Sequence, residues 1–319
     1  EMELMSPDDV LAQIASALPH TCRDNVIIVG SLAAGFHFFS GDPERAIRTK
    51  DVDCMFTPHA SAVTVAHQVT EQLFDAKWQQ RQGSWSTPGD ASTPEDQLPL
   101  VRLAPPGQAQ WFLELLGAPD LQRPDSPAKA MHRIETNRGH FALCSFRYLG
   151  LVEWRPILTE HGLRIARPEM MALANLLHHP RVAPDLISGT DGWKRSNKDL
   201  GRVLALAWLT RERDMRHDTE DLDRWAEHMT QALRERFPGE AQALATGAGT
   251  GLRQMLRSER DLAQALRICN LGLLASLEVG ESAFRAIGEQ VLAEVVEPLE
   301  AAFHVPGEGS TPDRPRPHR

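Results

Sequence analysis

The chain has little cysteine, and what it has is scattered. Cys22, Cys54, Cys144 and Cys269 are its four cysteines, and no two of them form a CxxC pair. That excludes a paired-cysteine zinc signature and a dense disulfide framework, and it fits a reducing compartment. Long hydrophobic runs are missing as well: nowhere do roughly 18 apolar residues follow one another, as a membrane-spanning helix requires. The opening segment from Glu1 to Asp9 lacks the basic and apolar blocks of a secretory signal, so a cytoplasmic location and no membrane partner are expected. Positive charge is also short. With 34 lysines and arginines against 43 aspartates and glutamates, the formal net charge is -9. A protein that coats nucleic acid with its whole surface is thereby excluded, and a phosphate-bearing partner must meet a local basic site. No internal repeat is present.

What remains is the composition of an ordinary folded protein, 42% hydrophobic and 24% charged. The length of 319 residues suits two domains at roughly 150 residues each. Val10, Leu11, Ile14 and Leu18 recur at helical spacing behind Ser6-Pro7-Asp8-Asp9, which predicts an opening helix. Asn25 to Val29 is a short β-branched run ending at Gly30-Ser31, and Leu32 to Phe39 is fit to continue as a helix, giving strand, tight turn, helix. Asp51 to Phe56 alternates acidic and apolar residues as a strand with one polar face does. A helix over 60–78, an exposed loop over 84–99, strands at 100–103 and 110–116, a loop over 119–130 and short strands within 140–165 complete the first half. Segments 168–179, 196–212, 218–236, 251–277 and 281–303 all carry helical periodicity.

Asp51 and Asp53 are the residues with the plainest chemistry. Two apart on a strand, they point to one face about 6.6 Å apart, at ~3.3 Å per residue. Magnesium takes hard oxygen ligands from one or two carboxylates, with waters and substrate phosphates. Two such ions roughly 3.5–4 Å apart are what transfer of a nucleotidyl group uses to neutralise the attacking and leaving oxygens. Adjacent unpaired carboxylates repel, so a bound cation also gives them a reason to coexist. Glu114, set among Trp111, Phe112, Leu113, Leu115 and Leu116, is costly to bury without a partner. On a strand beside the first it would supply a third carboxylate, as metal ligand and as the base for the attacking hydroxyl. Gly30 allows close backbone approach, and Ser31 opens a helix whose N–H groups and dipole favour phosphate.

In order and spacing, Gly30-Ser31, Arg48, Thr49, Asp51-Val52-Asp53 and the acidic strand Phe112-Leu113-Glu114-Leu115-Leu116 resemble the polymerase-beta-like nucleotidyltransferase superfamily. The likeness is to its stand-alone bacterial type, related to abortive-infection and toxin nucleotidyltransferases. It covers residues 25–120 and, more loosely, 164–210. The looser part is Arg167-Pro168-Glu169-Met170 followed by Lys194-Arg195-Ser196-Asn197-Lys198-Asp199. Where that type carries a first helix lysine, this chain has Asn175, which leaves Lys194, Arg195 and Lys198 as the basic candidates.

The resemblance implies an α+β protein: a mixed-sheet nucleotidyltransferase-like catalytic domain with flanking helices over 1–165, an all-helical domain over 166–305 and a disordered tail over 306–319. It implies a metal-dependent transferase that moves a nucleoside monophosphate from a nucleoside triphosphate such as ATP to a hydroxyl acceptor and releases pyrophosphate. Asp51, Asp53 and Glu114 are the expected catalytic and metal residues, with two magnesium ions or manganese in their place. Gly30, Ser31, Arg48, Thr49, Lys194 and Lys198 are the expected nucleotide-binding residues. The acceptor stays open among tRNA or another RNA, a protein and a small molecule. The alternative is a nucleotide-binding or toxin–antitoxin-type interaction protein on the same fold with altered catalysis. His37 and the His178-His179 pair are expected to be packing and helix-end residues, because neighbours in sequence do not face each other on a helix. Trp111, Trp193 and Trp208 could stack on a base, with core packing the expected role for each.

Overall fold

The structure is a computed structural model that describes residues 3–81, 87–107, 110–123 and 125–304. The expected tail 306–319 and the first part of the expected 84–99 loop lie outside those residues. Helix α1 (Pro7–Ala17) starts where the sequence provides a cap: the Ser6 hydroxyl accepts from the Asp9 N–H, and a proline sits in the first turn. Strand β1 (Val26–Val29) is buried at every position, as suits four β-branched residues in the middle of a sheet. It runs directly into α2 (Gly30–Phe39). Strand β2 (Asp51–Phe56) follows, then α3 (His59–Asp75), the short β3 (Gln79–Gln80), β4 (Arg102–Ala104) and β5 (Phe112–Gly117). A hairpin of β6 (Lys129–Thr136) and β7 (Gly139–Phe146) comes next, and β8 (Ile157–Leu158) and β9 (Arg164–Ile165) close the sheet.

The sheet order is β3-β4-β5-β2-β1-β9-β8, with β7 joined to the end of β5. It is mixed: β1 is antiparallel to β2 and parallel to β9, whereas β2 and β5 run parallel. The β2–β5 register places Asp51 opposite Phe112 and Asp53 opposite Glu114. The β4–β5 register then sets Arg102 opposite Glu114 on its other side. The central residues of interest therefore form a row across β4, β5 and β2.

Beyond Ile165 the described chain is helical apart from its connections: α4 (Pro168–His178), α5 (Arg195–His217), α6 (Trp225–Arg236), α7 (Ala241–Gly247), α8 (Thr250–Leu256), α9 (Glu259–Leu271), α10 (Glu281–Val291) and α11 (Glu297–Ala302). The helix expected over 251–277 is two helices. Ser258 breaks it, because its hydroxyl accepts from the Asp261 N–H and caps α9. The helix expected over 281–303 contains a wide π turn at Leu292–Val296. The buried core runs without interruption from Ile28 and Leu113 in the sheet to Leu200, Leu204 and Phe284 in the helices. Ion pairs reinforce the junction: Arg147 with Glu240, and Arg236 with Glu153. No helix among the described residues is long and apolar enough to cross a membrane.

Candidate active site

Between the sheet and the helices lies a cavity of about 620 Å³, a size that takes a ligand such as a nucleotide. Its floor is the exposed face of the central strands. Along β2 the burial alternates at the start, with Val52 and Cys54 buried and Asp51 and Asp53 less so; Asp51 lines the cavity, whereas the Asp53 carboxylate lies against the Gly30 turn. On β5 Glu114 is the only position not fully buried. The structure thus brings together the three carboxylates named from the sequence, on two adjacent parallel strands.

Gly30 is where β1 turns into α2, with φ +74°, and a Cβ added there would stand 2.7 Å from the Asp53 Oδ2 atom. Only glycine meets both demands, a left-handed backbone and room for the carboxylate. The first turn of α2 has no side-chain cap, which leaves its leading N–H groups available. Ser31 lines the cavity, and its Oγ accepts from an Arg202 terminal nitrogen at 3.3 Å. Thr49 steers the first aspartate: its hydroxyl reaches the Asp51 carbonyl at 2.9 Å and the Asp51 Oδ1 at 3.1 Å. The Arg48 N–H donates to the Gly272 carbonyl at 3.2 Å, tying the approach to β2 onto the segment after α9. Arg48 also lines the cavity, and its Nε is buried without a hydrogen-bond partner among the described residues.

Burial, followed by the charges of Asp51 and then Glu114, pushes the Asp53 carboxyl well above the ordinary carboxylate range, while Arg202 and Lys198 pull it down. Three acids so placed are costly in water alone, and a divalent cation would reverse that cost. As hard oxygen donors, Asp51 in the cavity lining and Asp53 two residues along the same strand fit a magnesium ion. Glu114 is engaged: Arg102 Nε donates to its Oε2 at 2.5 Å. Among the described residues, the group of three with ligand atoms all within 4.8 Å of one another is Asp8, Glu160 and His161, elsewhere in the fold. Asp51, Asp53 and Glu114 are more widely set, and Glu114 would join a metal only by leaving Arg102. In the Asp8 group, both Asp8 oxygens already accept bonds, from the Ser40 hydroxyl and the Gly41 N–H.

The other expected nucleotide-binding residues divide. Lys198 lines the cavity, with Arg202 one turn further along α5. Lys194 is not among the lining residues; its Nζ is held 2.8 Å from the Asp261 Oδ1. Its place as second cation beside Lys198 is taken by Arg202. The spacing Lys198, Arg202, Ala205, one side of a helix, was the signal for that residue. Asn175 is absent from the lining, its carbonyl accepting from the His179 N–H, so the missing helix lysine leaves the cavity's cations intact. His179 Nε2 lies 2.8 Å from the Asp199 carboxylate, and His178 packs edge-on to Phe146 and Tyr148. His37 is turned away, 2.8 Å from Arg213. Trp111 packs against Trp78 in the core, whereas Trp193 lines the cavity.

Sequence reasoning missed the far wall. Lys50, Arg81 and Arg102 line the cavity on the β4 side, and the Arg81 and Arg102 guanidiniums lie 4.4 and 5.8 Å from the centre of the Phe112 ring. An apolar wall opposite comes from Ile187 and Trp193 before α5 and from Ile268, Leu271 and Leu273 around the end of α9. The chain matches no protein-family model, no curated protein and no solved structure.

Proposed function

We propose that the protein is a metal-dependent nucleotidyltransferase. The observation that carries this reading is the register of β2 on β5, which sets Asp53 beside Glu114, next to a cavity lined by Asp51, Glu114 and Ser31. Asp51 and Asp53 would hold magnesium or manganese, with Glu114 completing the set. The ions supply charge neutralisation at the α-phosphate and at the leaving pyrophosphate. The chain's own groups do the rest. The first turn of α2, Ser31, Lys198 and Arg202 hold the triphosphate, and the apolar wall around Trp193 and Leu273 encloses the base. Glu114 accepts the proton of the attacking hydroxyl, which becomes bonded to the α-phosphorus as the bond to pyrophosphate breaks.

One observation favours a second reading. Glu114 paired to Arg102 at 2.5 Å is a neutralised carboxylate, as in a nucleotide-binding protein without turnover. A single experiment separates them. The protein is incubated with each α-labelled nucleoside triphosphate, magnesium and total RNA, total protein or small hydroxyl compounds. Transfer of label, lost in Asp51→Ala/Asp53→Ala, is the expected result. Metal-dependent nucleotide binding without pyrophosphate release identifies the second reading. Absence of both, with metal affinity unchanged in the double variant, overturns the site.

A further inference from the structure

We infer that Asp8, Glu160 and His161 form a binding site for a zinc-like divalent cation, where the start of α1, the end of α2 and the β8–β9 turn meet. The site is independent of the nucleotidyl-transfer reading, since none of the three residues lines the cavity.

One ligand atom from each of the three residues lies within 4.8 Å of the other two. The His161 Nε2 atom is buried without a hydrogen-bond partner among the described residues, and the Glu160 Oε1 atom is 3.9 Å from it, beyond hydrogen-bond reach. As an N–H this nitrogen donates to nothing, and as a bare nitrogen it accepts from nothing; either way its burial is costly. No lysine or arginine among the described residues stands at ion-pair distance from Asp8 or Glu160. A divalent cation meets all of these needs together: it takes the imidazole lone pair and neutralises both carboxylates. Around zinc, with bonds of ~2.0–2.2 Å, ligand atoms sit roughly 3.3–3.6 Å apart, so the ion would draw these three slightly inward. Glu160 makes that movement easily, its side chain being 74% exposed. A nitrogen ligand beside two carboxylates suits zinc, whereas magnesium asks for oxygen. Three protein ligands leave a fourth zinc position to water.

The surrounding structure holds the other two ligands in place. Ser40 Oγ donates to Asp8 Oδ1 at 2.8 Å, and the Gly41 N–H donates to Asp8 Oδ2 at 3.0 Å. These bonds use one lone pair on each oxygen and leave another for a metal. They also fix the carboxylate's direction, as the outer partners of metal ligands do. The His161 ring stands edge-on to Phe36, with centroids 5.8 Å apart. The His161 carbonyl accepts from Arg23 at 2.9 Å, and the same guanidinium reaches the Ala15 carbonyl at 2.7 Å, tying the turn to the far end of α1. The turn closes by the Gly162 N–H on the Thr159 carbonyl, with Gly162 at φ +73° where a side chain would be strained. A cation bound between these anchors clips the first helix to the β8 end of the sheet, a structural role.

The test uses the full chain, stripped of metal with a chelator, in an Asp51→Ala/Asp53→Ala background that removes the cavity's carboxylate pair. Titration calorimetry with zinc chloride should show stoichiometric binding and a matching rise in Tm, and excess magnesium should not displace the zinc. His161→Ala should weaken zinc binding about hundredfold, and Ser40→Ala, which frees Asp8 without removing a ligand, about tenfold. Should His161→Ala fold poorly, Glu160→Gln decides, because so exposed a side chain contributes little to folding; it should cost at least about tenfold in zinc affinity. The Tm rise should shrink in step with affinity. Three results overturn the inference: no stoichiometric zinc in the background variant, zinc held as tightly after His161→Ala or Glu160→Gln as before, or ready displacement by magnesium. None of them bears on the aspartates of the cavity, so the nucleotidyltransferase reading stands or falls separately.

Discussion

Gly30 carries two constraints at once, and they have different costs. Its φ of +74° lies where side-chain-bearing residues are strained by roughly 1–2 kcal/mol. The missing Cβ leaves space that the Asp53 Oδ2 atom occupies at 2.7 Å from where it would be. Gly30→Ala should therefore lower unfolding free energy by about 1–2 kcal/mol in a urea titration and, separately, abolish the rise in Tm that the proposed function expects from magnesium with a nucleoside triphosphate. A variant that lost stability but kept its ligand-dependent rise would show that Asp53 does not need its present position. The raised Asp53 carboxyl reflects the same crowding, since Asp51 and Glu114 add their charges to its burial. Arg102 relieves Glu114 of part of that repulsion by pairing with it.

At the scale of elements, the sequence was most legible where period and punctuation agree. The run 26–29 followed by Gly30 reads directly as strand and turn, and the alternation in 51–56 reads as a strand with one polar face; both are as observed. Glu114 was legible as a carboxylate among large apolar neighbours that must have a partner. That the partner is Arg102 was not, because the pairing is made across a sheet register and leaves no trace in local spacing. Arg81, Ile187 and Thr190 are not legible for the same reason: their places in the cavity wall arise from what folds against them. Strand β7 falls among the short strands expected within 140–165, but its partner β6 does not show in the sequence because it is only lightly buried, its polar residues masking the period. The helix expected over 251–277 is divided because the Ser258 hydroxyl caps the second half, which the apolar periodicity alone does not reveal. Ser258→Ala should cost about 1 kcal/mol in urea denaturation, since the Asp261 N–H loses its acceptor. Because α9 ends at the cavity wall, the same variant should weaken triphosphate binding only slightly if the cap is purely structural.

Over the whole molecule, the two buried histidines point in one direction, opposite to Asp53. Burial, with Arg213 next in effect, lowers His37 to about 4, and burial with His179 lowers His178 to about 4, from an ordinary value of 6.5. The folded state keeps both rings neutral, whereas the unfolded chain protonates them first. Between pH 6.5 and 4 the unfolded state binds more protons at these two rings, so their contribution to stability is full above 6.5 and is lost as pH falls. Each ring contributes of order 2–3 kcal/mol to that loss. Asp199, Asp214 and Asp261, held below the usual carboxylate range by hydrogen bonds and nearby cations that outweigh their burial, extend the decline to still lower pH. Tm should drop steeply on acidification below 6.5, and His178→Phe should flatten the upper part of that curve. The continuous core makes this one cooperative loss shared by sheet and helices. The four cysteines are all buried, and burial raises the Cys144 thiol to about 11, the Cys269 thiol to about 12 and Cys54 beyond that. A thiol-capturing reagent at neutral pH therefore finds no thiolate at Cys54, Cys144 or Cys269 until the protein breathes. Cys54 and Cys144 time the opening of the sheet, and Cys269, in the cavity wall, times the opening of the helices. Filling the cavity would slow the Cys269 clock first, so the chain carries its own reporters of occupancy.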